Sequence, residues 1–238
     1  VKVSNPFVPP DASGPAIAVT ECRACPRLVE WRERQAGLVP PRFAAWVREY
    51  GFWARPVAAF GDPAAWLVIV GLAPAAQGAN RTGRMFTGDR SGAFLYSALH
   101  RAGLANLPNS DHRGDGLALH GVLITAPLRC APPGNRPAAA ELDRCRAFMR
   151  ADLAACRRLR VVLALGRVAH GSVRRLLREK GTVPSGGAGF RHGAAHALPG
   201  GVWLVDSYHV SQQNTFTGRL TAAMFDDVLR RCRRLAER

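Results

Sequence analysis

The chain has 238 residues, 47% of them hydrophobic, and a formal net charge of +16 from 33 basic against 17 acidic residues. That length and apolar content suit one buried core, as a single domain over 1–238 in which 1–60 forms an N-terminal arm. No apolar run approaches bilayer thickness, and the opening VKVSNPFVPPDASGPA has neither the basic head nor the apolar centre of a signal peptide, so the expectation is a globular protein of the reducing cytoplasm.

In chain order, the arm carries Trp31, Trp46, Trp53 and several prolines. Within it SGPAIAVTECRACPRLVEWRERQ is a loop entering a helix, with Thr20 as the expected N-cap. Short runs rich in Val, Ile and Leu follow at 65–72 (AWLVIVGL), 121–126 (GVLITA), 160–165 (RVVLAL) and 202–205 (VWLV), the pattern of buried parallel strands. Helical patterns at 91–102, 138–159, 168–180 and 221–236 come after them. The alternation predicts an α/β fold with helices on both faces of a mostly parallel sheet. The segment 185–196 (SGGAGFRHGAAH) is expected to be a mobile loop.

All basic residues except Lys2 and Lys180 are arginine, whose planar fork matches phosphate. Compositional bias towards arginine would not by itself leave so large a charge imbalance, so a polyanionic partner follows, most simply nucleic acid.

Four cysteines form two pairs beside proline and arginine: Cys22 and Cys25 in CRACPR, then Cys130 and Cys145. Six cysteines are too few for a disulfide-stapled secreted domain. A redox CxxC is expected just after a strand, and no strand-like run precedes Cys22. The four therefore suggest one thiolate metal site, for which zinc and iron-sulfur both qualify. Cys156 and Cys232, on amphipathic helical stretches, are assigned to the core.

In a parallel sheet the site lies beyond the carboxyl ends of the strands. There this chain has GLAPAAQGANRTGRMFTGDRSG (71–92), PLRCAPPGN (127–135) and DSYHVSQQNTFTGRL (206–220). They supply glycine-rich backbone donors, an aromatic ring in Phe86, a carboxylate in Asp89, an amide in Asn135 and an imidazole in His209, an inventory for gripping a planar ring and reacting beside it. A nucleotide-binding loop would need GxGxxG or GxxxxGK[ST], and neither occurs. A turn would account for Asn135, and a buried structural role for His209.

These segments, with Cys22, Cys25, Cys130 and Cys145, resemble the iron-sulfur uracil-DNA glycosylases of family 5 (type B), from about Thr20 to the end. The resemblance implies a three-layer α/β/α fold with a central four-stranded parallel sheet and a 4Fe-4S cluster on the four cysteines. It implies a monomeric hydrolase that releases uracil, and deaminated purines such as hypoxanthine, from double- and possibly single-stranded DNA, starting base excision repair near the nucleoid. The catalytic positions it carries over are Asp89, Asn135 and His209; Gly71, Ala73, Gln77 and Phe86 would line the base pocket. Ser211, Gln212, Gln213, Asn214 and Arg136 would hold DNA, and the cluster would set Arg23, Arg27, Arg129 and Arg136 against the backbone.

The departures are specific. GLAPAAQG lacks the water-activating acid of many relatives, so Asp89 must do that work; Thr125, Ala126 and Pro127 replace a uracil-reading asparagine pattern, which fits a broader base range. No basic insertion ending in histidine follows GDRSG, unlike relatives that stay bound to uracil covalently. Val210, Met85 and Gln77 stand where relatives often carry proline, proline and histidine. Two other classes compete: a non-catalytic protein binding damaged or single-stranded DNA, and an iron-sulfur regulator.

Overall fold

The apolar runs become strands because they are buried on both faces and rich in β-branched residues. In the computed structural model, which describes residues 5–8, 18–179 and 189–238, β1 (Phe60–Gly61), β2 (Leu67–Val70), β3 (Val122–Thr125), β4 (Val161–Leu165), β5 (Ala195–Ala197) and β6 (Trp203–Ser207) form one sheet in the order β1-β3-β2-β4-β6-β5. The inner four strands are parallel, with Leu67 opposite both Val122 and Val161, and Val161 opposite Trp203. The two edges are antiparallel. The expected four-stranded parallel sheet is thus the centre of a six-stranded one.

The helices are α1 (Pro26–Arg34), α2 (Ala44–Tyr50), α3 (Ala79–Thr82), α4 (Arg90–Arg101), α5 (Ala139–Ala155), α6 (Arg167–Glu179), α7 (Gln212–Phe216) and α8 (Ala222–Ala236). Alternate strand residues point to opposite faces. Leu67, Ile69, Ile124 and Leu163 pack with Leu95 and Leu99 of α4 and Phe225 and Leu229 of α8. Val68, Val70, Val162 and Ala164 pack with Met149 and Leu153 of α5 and Val173 and Leu177 of α6. Each such buried side chain contributes about 1.5–3 kcal/mol, and the result is three layers, α/β/α. Cys156 and Cys232 are fully buried in these two cores, as expected of them.

Three expectations are corrected. Thr20 lies in a short 3-10 turn, and α1 begins later, with Cys25 at the N-cap and Pro26 at its first position, where a missing N–H costs nothing. The last strand runs on through Asp206 and Ser207, both buried. Its length offers an edge to β5, where the N–H of Gly193 donates to the Asp206 carbonyl at 2.8 Å and that of Asp206 to Ala194 at 2.9 Å. The described part of the supposed mobile loop is therefore tied to the sheet; Ser185 to Ala188 and Lys180 lie outside the described residues.

The arm is pinned to the core at separate points. Asn5 Nδ2 donates to the carbonyls of Leu153 at 2.7 Å and Cys156 at 3.0 Å, and Phe7 is buried against the α5/α6 side of the sheet. Further along, the Arg81 guanidinium sits 4.1 Å from the Phe43 ring and 4.2 Å from Trp46. Consecutive connections leave β2 towards β3 on one side and reach β4 on the other, so the topological switch, where ligands bind in open α/β sheets, falls at the carboxyl end of β2.

Candidate active site and cysteine centre

At that switch point the chain needs glycine for close approach. The Gly71 N–H completes the sheet by donating to the Thr125 carbonyl at 2.8 Å, and a Cβ on Gly71 would lie 2.8 Å from the Phe86 ring. Gly71 thus makes room for an aromatic face. Its amide is already committed, as is that of Gly78, which donates to Ala75 at 3.1 Å; the donors left for a ligand lie between them. Phe86 adopts φ +53°, a costly value for a bulky residue that persists only where the surroundings enforce it. They do: Tyr96 Oη donates to the Met85 carbonyl at 2.6 Å, and Thr82 Oγ1 to that of Thr87 at 3.1 Å. Arg84, buried, forks onto Asp115 and also reaches Ser110 and Thr87.

Asp89 caps α4, its Oδ1 accepting from the Gly92 N–H at 2.9 Å. A Cβ at Gly78 would overlap its Oδ2, so a glycine there lets the carboxylate face the 71–78 loop. Burial raises the Asp89 pKa, opposed by the N–H groups of Gly92 and Ser91 and by the charge of Arg81. Capping alone would account for an aspartate here, but not for one whose Oδ2 is pressed against a glycine-rich loop.

His209 follows β6. Gly166, whose φ of +94° favours glycine, passes beside it, and a Cβ there would be in ordinary contact with His209 Cβ at 3.5 Å. The imidazole lies 6.1 Å from the Phe86 ring, centre to centre. Burial lowers the His209 pKa to about 4, so the ring is neutral at physiological pH and can donate without carrying charge. The Asn214 Nδ2 donates to the His209 carbonyl at 2.8 Å, fixing the loop that Val210 anchors from the core.

The other expected site residues are distributed as follows. Ala73 packs against Leu28, Leu128 and Cys130, on the cysteine side of the loop. Gln77 donates from Nε2 to the Leu38 carbonyl at 3.3 Å, and its Oε1 is buried without a hydrogen-bond partner among the described residues. Asn135 and Arg136 are exposed, Asn135 at φ +55° in a turn closed by its own N–H on the Pro132 carbonyl. Ser211 stands at the N-cap of α7, with Gln212 and Gln213 exposed beside it.

Three of the arginines assigned to DNA are otherwise engaged. Arg129 is 1% exposed and bonded to Asp152 and Thr125, so it faces the core; Arg23 pairs with Glu33 and Arg27 forks onto Glu141. Composition counts charges without revealing which of them are internal.

Two features escaped sequence reasoning. Phe216, on α7, is 65% exposed, with the Arg90 guanidinium 5.0 Å from its ring; Arg90 directly follows Asp89. Arg32 is buried, and its Nη1 donates to Cys130 Sγ at 3.0 Å. The second was legible: 25, 28, 29 and 32 share one face of a helix, so Arg32 stands over the cysteine side.

All four paired cysteines line one small apolar cavity with Leu28, Leu128 and Phe148. Among the described residues the one group of three or more potential ligands gathered within 4.8 Å lies elsewhere. Thiolates on one zinc, at about 2.3 Å each, cannot stand more than about 4.6 Å apart whatever the angle. The four sulfurs are therefore spread wider than a single ion would hold them.

A sequence model of the uracil DNA glycosylase superfamily matches residues 58–233. The chain belongs to this superfamily. The type-5 uracil-DNA glycosylase of Thermus thermophilus is 52% identical over 218 residues, covering 92% of this chain and 95% of that protein. That of Mycobacterium leprae is 50% identical over 219 residues, with 92% and 93% covered, and that of Pyrobaculum aerophilum 44% over 213 residues, with 90% and 88%. The family resemblance drawn from the three carboxyl-end segments is borne out, and so is the three-layer architecture. Among the described residues no helix is long and apolar enough to cross a membrane.

Proposed function

We propose that this chain hydrolyses the N-glycosidic bond of uracil, and of deaminated purines such as hypoxanthine, in DNA, as a monomer that opens base excision repair in the cytoplasm. The observation that carries the reading is the Phe86 ring held at the sheet's switch point, 6.1 Å from a neutral His209, with the Asp89 carboxylate against the same loop. The relatives' names support uracil as a substrate; Thr125, Ala126 and Pro127, in place of a uracil-reading asparagine pattern, support the wider range.

The target base must leave the stack, at a cost of a few kcal/mol that is least for a mispaired base. Stacked on Phe86 it gains about 1–3 kcal/mol whatever its identity. As the C–N bond lengthens, the departing base gathers negative charge and the sugar positive charge. His209, neutral and desolvated, donates to the base, because a fixed donor aimed at developing charge is worth most where water is excluded. Asp89 stabilises the sugar cation and orients the water whose oxygen bonds to C1′; the water's proton balances the released base. Asn135, on its exposed turn, assists at the water or the base.

Outside the pocket, Arg90 and Phe216 form the rim that meets the duplex, and we assign Phe216 as the wedge that fills the vacated stack. Ser211, Gln212, Gln213, Asn214 and Arg136 hold phosphates. The 4Fe-4S cluster fits Cys22, Cys25, Cys130 and Cys145, given their shared cavity and wide spread, with Arg32 hydrogen-bonded to one sulfur. Bound there, it would act structurally, with Cys22 and Cys25 of the arm and Cys130 and Cys145 after β3 as the residues that would hold it. Anaerobically purified protein should carry about four irons per chain, lost in Cys130→Ser.

The deciding experiment incubates the protein with oligonucleotides holding one uracil or one hypoxanthine and scores abasic sites by alkaline cleavage. Release of both bases supports the proposal. Release of uracil alone removes the purine range, and tight binding with no release overturns catalysis.

A further inference from the structure

On the far side of β6 from the base pocket lies a second cluster that the glycosylase reaction does not use. Asp206 is completely buried, yet among the described residues its charged or ionisable partners are two histidines and no arginine. Its Oδ1 is 2.7 Å from His170 Nδ1, and its Oδ2 is 3.1 Å from His196 Nε2. The Arg191 backbone N–H also reaches Oδ2, at 3.3 Å. One nitrogen of each imidazole and one carboxylate oxygen all lie within 4.8 Å of one another. The three residues come from α6, β5 and β6, so no local sequence pattern gathers them.

We propose that His170, His196 and Asp206 form a binding site for a divalent transition-metal ion of the zinc class. An isolated buried carboxylate is expensive unless a cation compensates it, and among the described residues no arginine side chain pairs with this one. Two imidazoles and a carboxylate are a zinc donor set, leaving a fourth position for water. The Arg191 N–H on Oδ2 is the kind of outer contact that orients a ligating carboxylate. His170 is 94% buried at its side chain, and its Nε2 has no hydrogen-bond partner among the described residues. His196, at 10% side-chain exposure, is the opening.

The ion would act on the glycosylase pocket through the backbone. It would tie the 189–197 segment to β6 three residues before His209. On that same segment His192 stacks on Tyr208 at 4.7 Å and accepts its N–H at 3.1 Å. The ion is thus a clamp beneath the His209 loop and touches no reacting atom.

The test uses the full, cluster-loaded chain, so that the cysteine centre is already filled. After dialysis against a chelator, zinc is titrated back, and the bound ion is examined by X-ray absorption at the zinc edge, where iron does not interfere. The expected result is one retained equivalent with nitrogen and oxygen neighbours at about 2.0–2.1 Å and a raised thermal midpoint. His196→Gln, which can still hydrogen-bond to Asp206, should weaken binding more than about 100-fold; Asp206→Asn should do the same. Failure to retain zinc, a sulfur neighbour at about 2.3 Å, or undiminished binding in His196→Gln would each overturn the proposal. Should either variant fail to fold, the wild-type spectrum alone decides.

Discussion

The tripeptide Phe-Thr-Gly occurs twice in this chain, at 86–88 and 216–218, and its two copies have opposite fates. Phe86 is forced into a left-handed conformation and laid against Gly71, while Phe216 sits on α7 and projects into solvent beneath Arg90. The difference comes from the surroundings. A lattice of buried arginine, threonine and tyrosine contacts closes over the first copy; the second stands exposed on α7. Identical local sequence therefore yields one enclosed ring and one exposed ring, which the proposed function casts as the platform for the base and the wedge for the duplex.

That contrast predicts that changes around Phe86 slow bond cleavage on every substrate, whereas changes at Phe216 matter only when a base must leave a stack. The largest effect belongs to Asp89→Asn. Asparagine caps a helix as well as aspartate does, so the fold should stand while single-turnover uracil release falls about 10²–10⁴-fold, equally on single and double strands. His209→Ala removes one donor to the departing base and should cost about 10²–10³-fold in the same assay, again regardless of strand. Phe216→Ala is smaller, worth about 1–3 kcal/mol of stacking. It should appear on duplex uracil and vanish on single-stranded uracil; an equal loss on both would place Phe216 in the pocket and erase the distinction.

Much of the frame was legible in the sequence. The four central strands and the helices between them are long enough to carry their own periodicity, and the three polar segments at their carboxyl ends announced the pocket. The rest depended on partners distant in the chain. β1 and β5 are two and three residues long and exist because neighbouring strands offer an edge. Asp206 reads from sequence as a polar loop residue, and its burial depends on histidines 36 and 10 residues away. Arg32, Arg84 and Arg129 look like any other basic residue until tertiary structure encloses them, which is why the charge was assigned to DNA more generously than the geometry permits. Phe216 was passed over because exposure is not a property of a tripeptide.

The most direct test of the central claim is the pH dependence of single-turnover uracil release by the wild-type protein. Burial raises the Asp89 pKa, so the carboxylate that the proposed function makes catalytic is lost, as pH falls, at a higher pH than for an ordinary aspartate. Burial also lowers the His209 pKa to about 4, so the imidazole stays neutral as pH passes through the ordinary histidine range. The account predicts that no limb near about pH 6.5 depends on His209, and that the rate drops as pH falls through the raised Asp89 pKa along a limb that Asp89→Asn abolishes. A limb centred near 6.5 that disappears in His209→Gln would show a titrating histidine in the pocket and contradict the account.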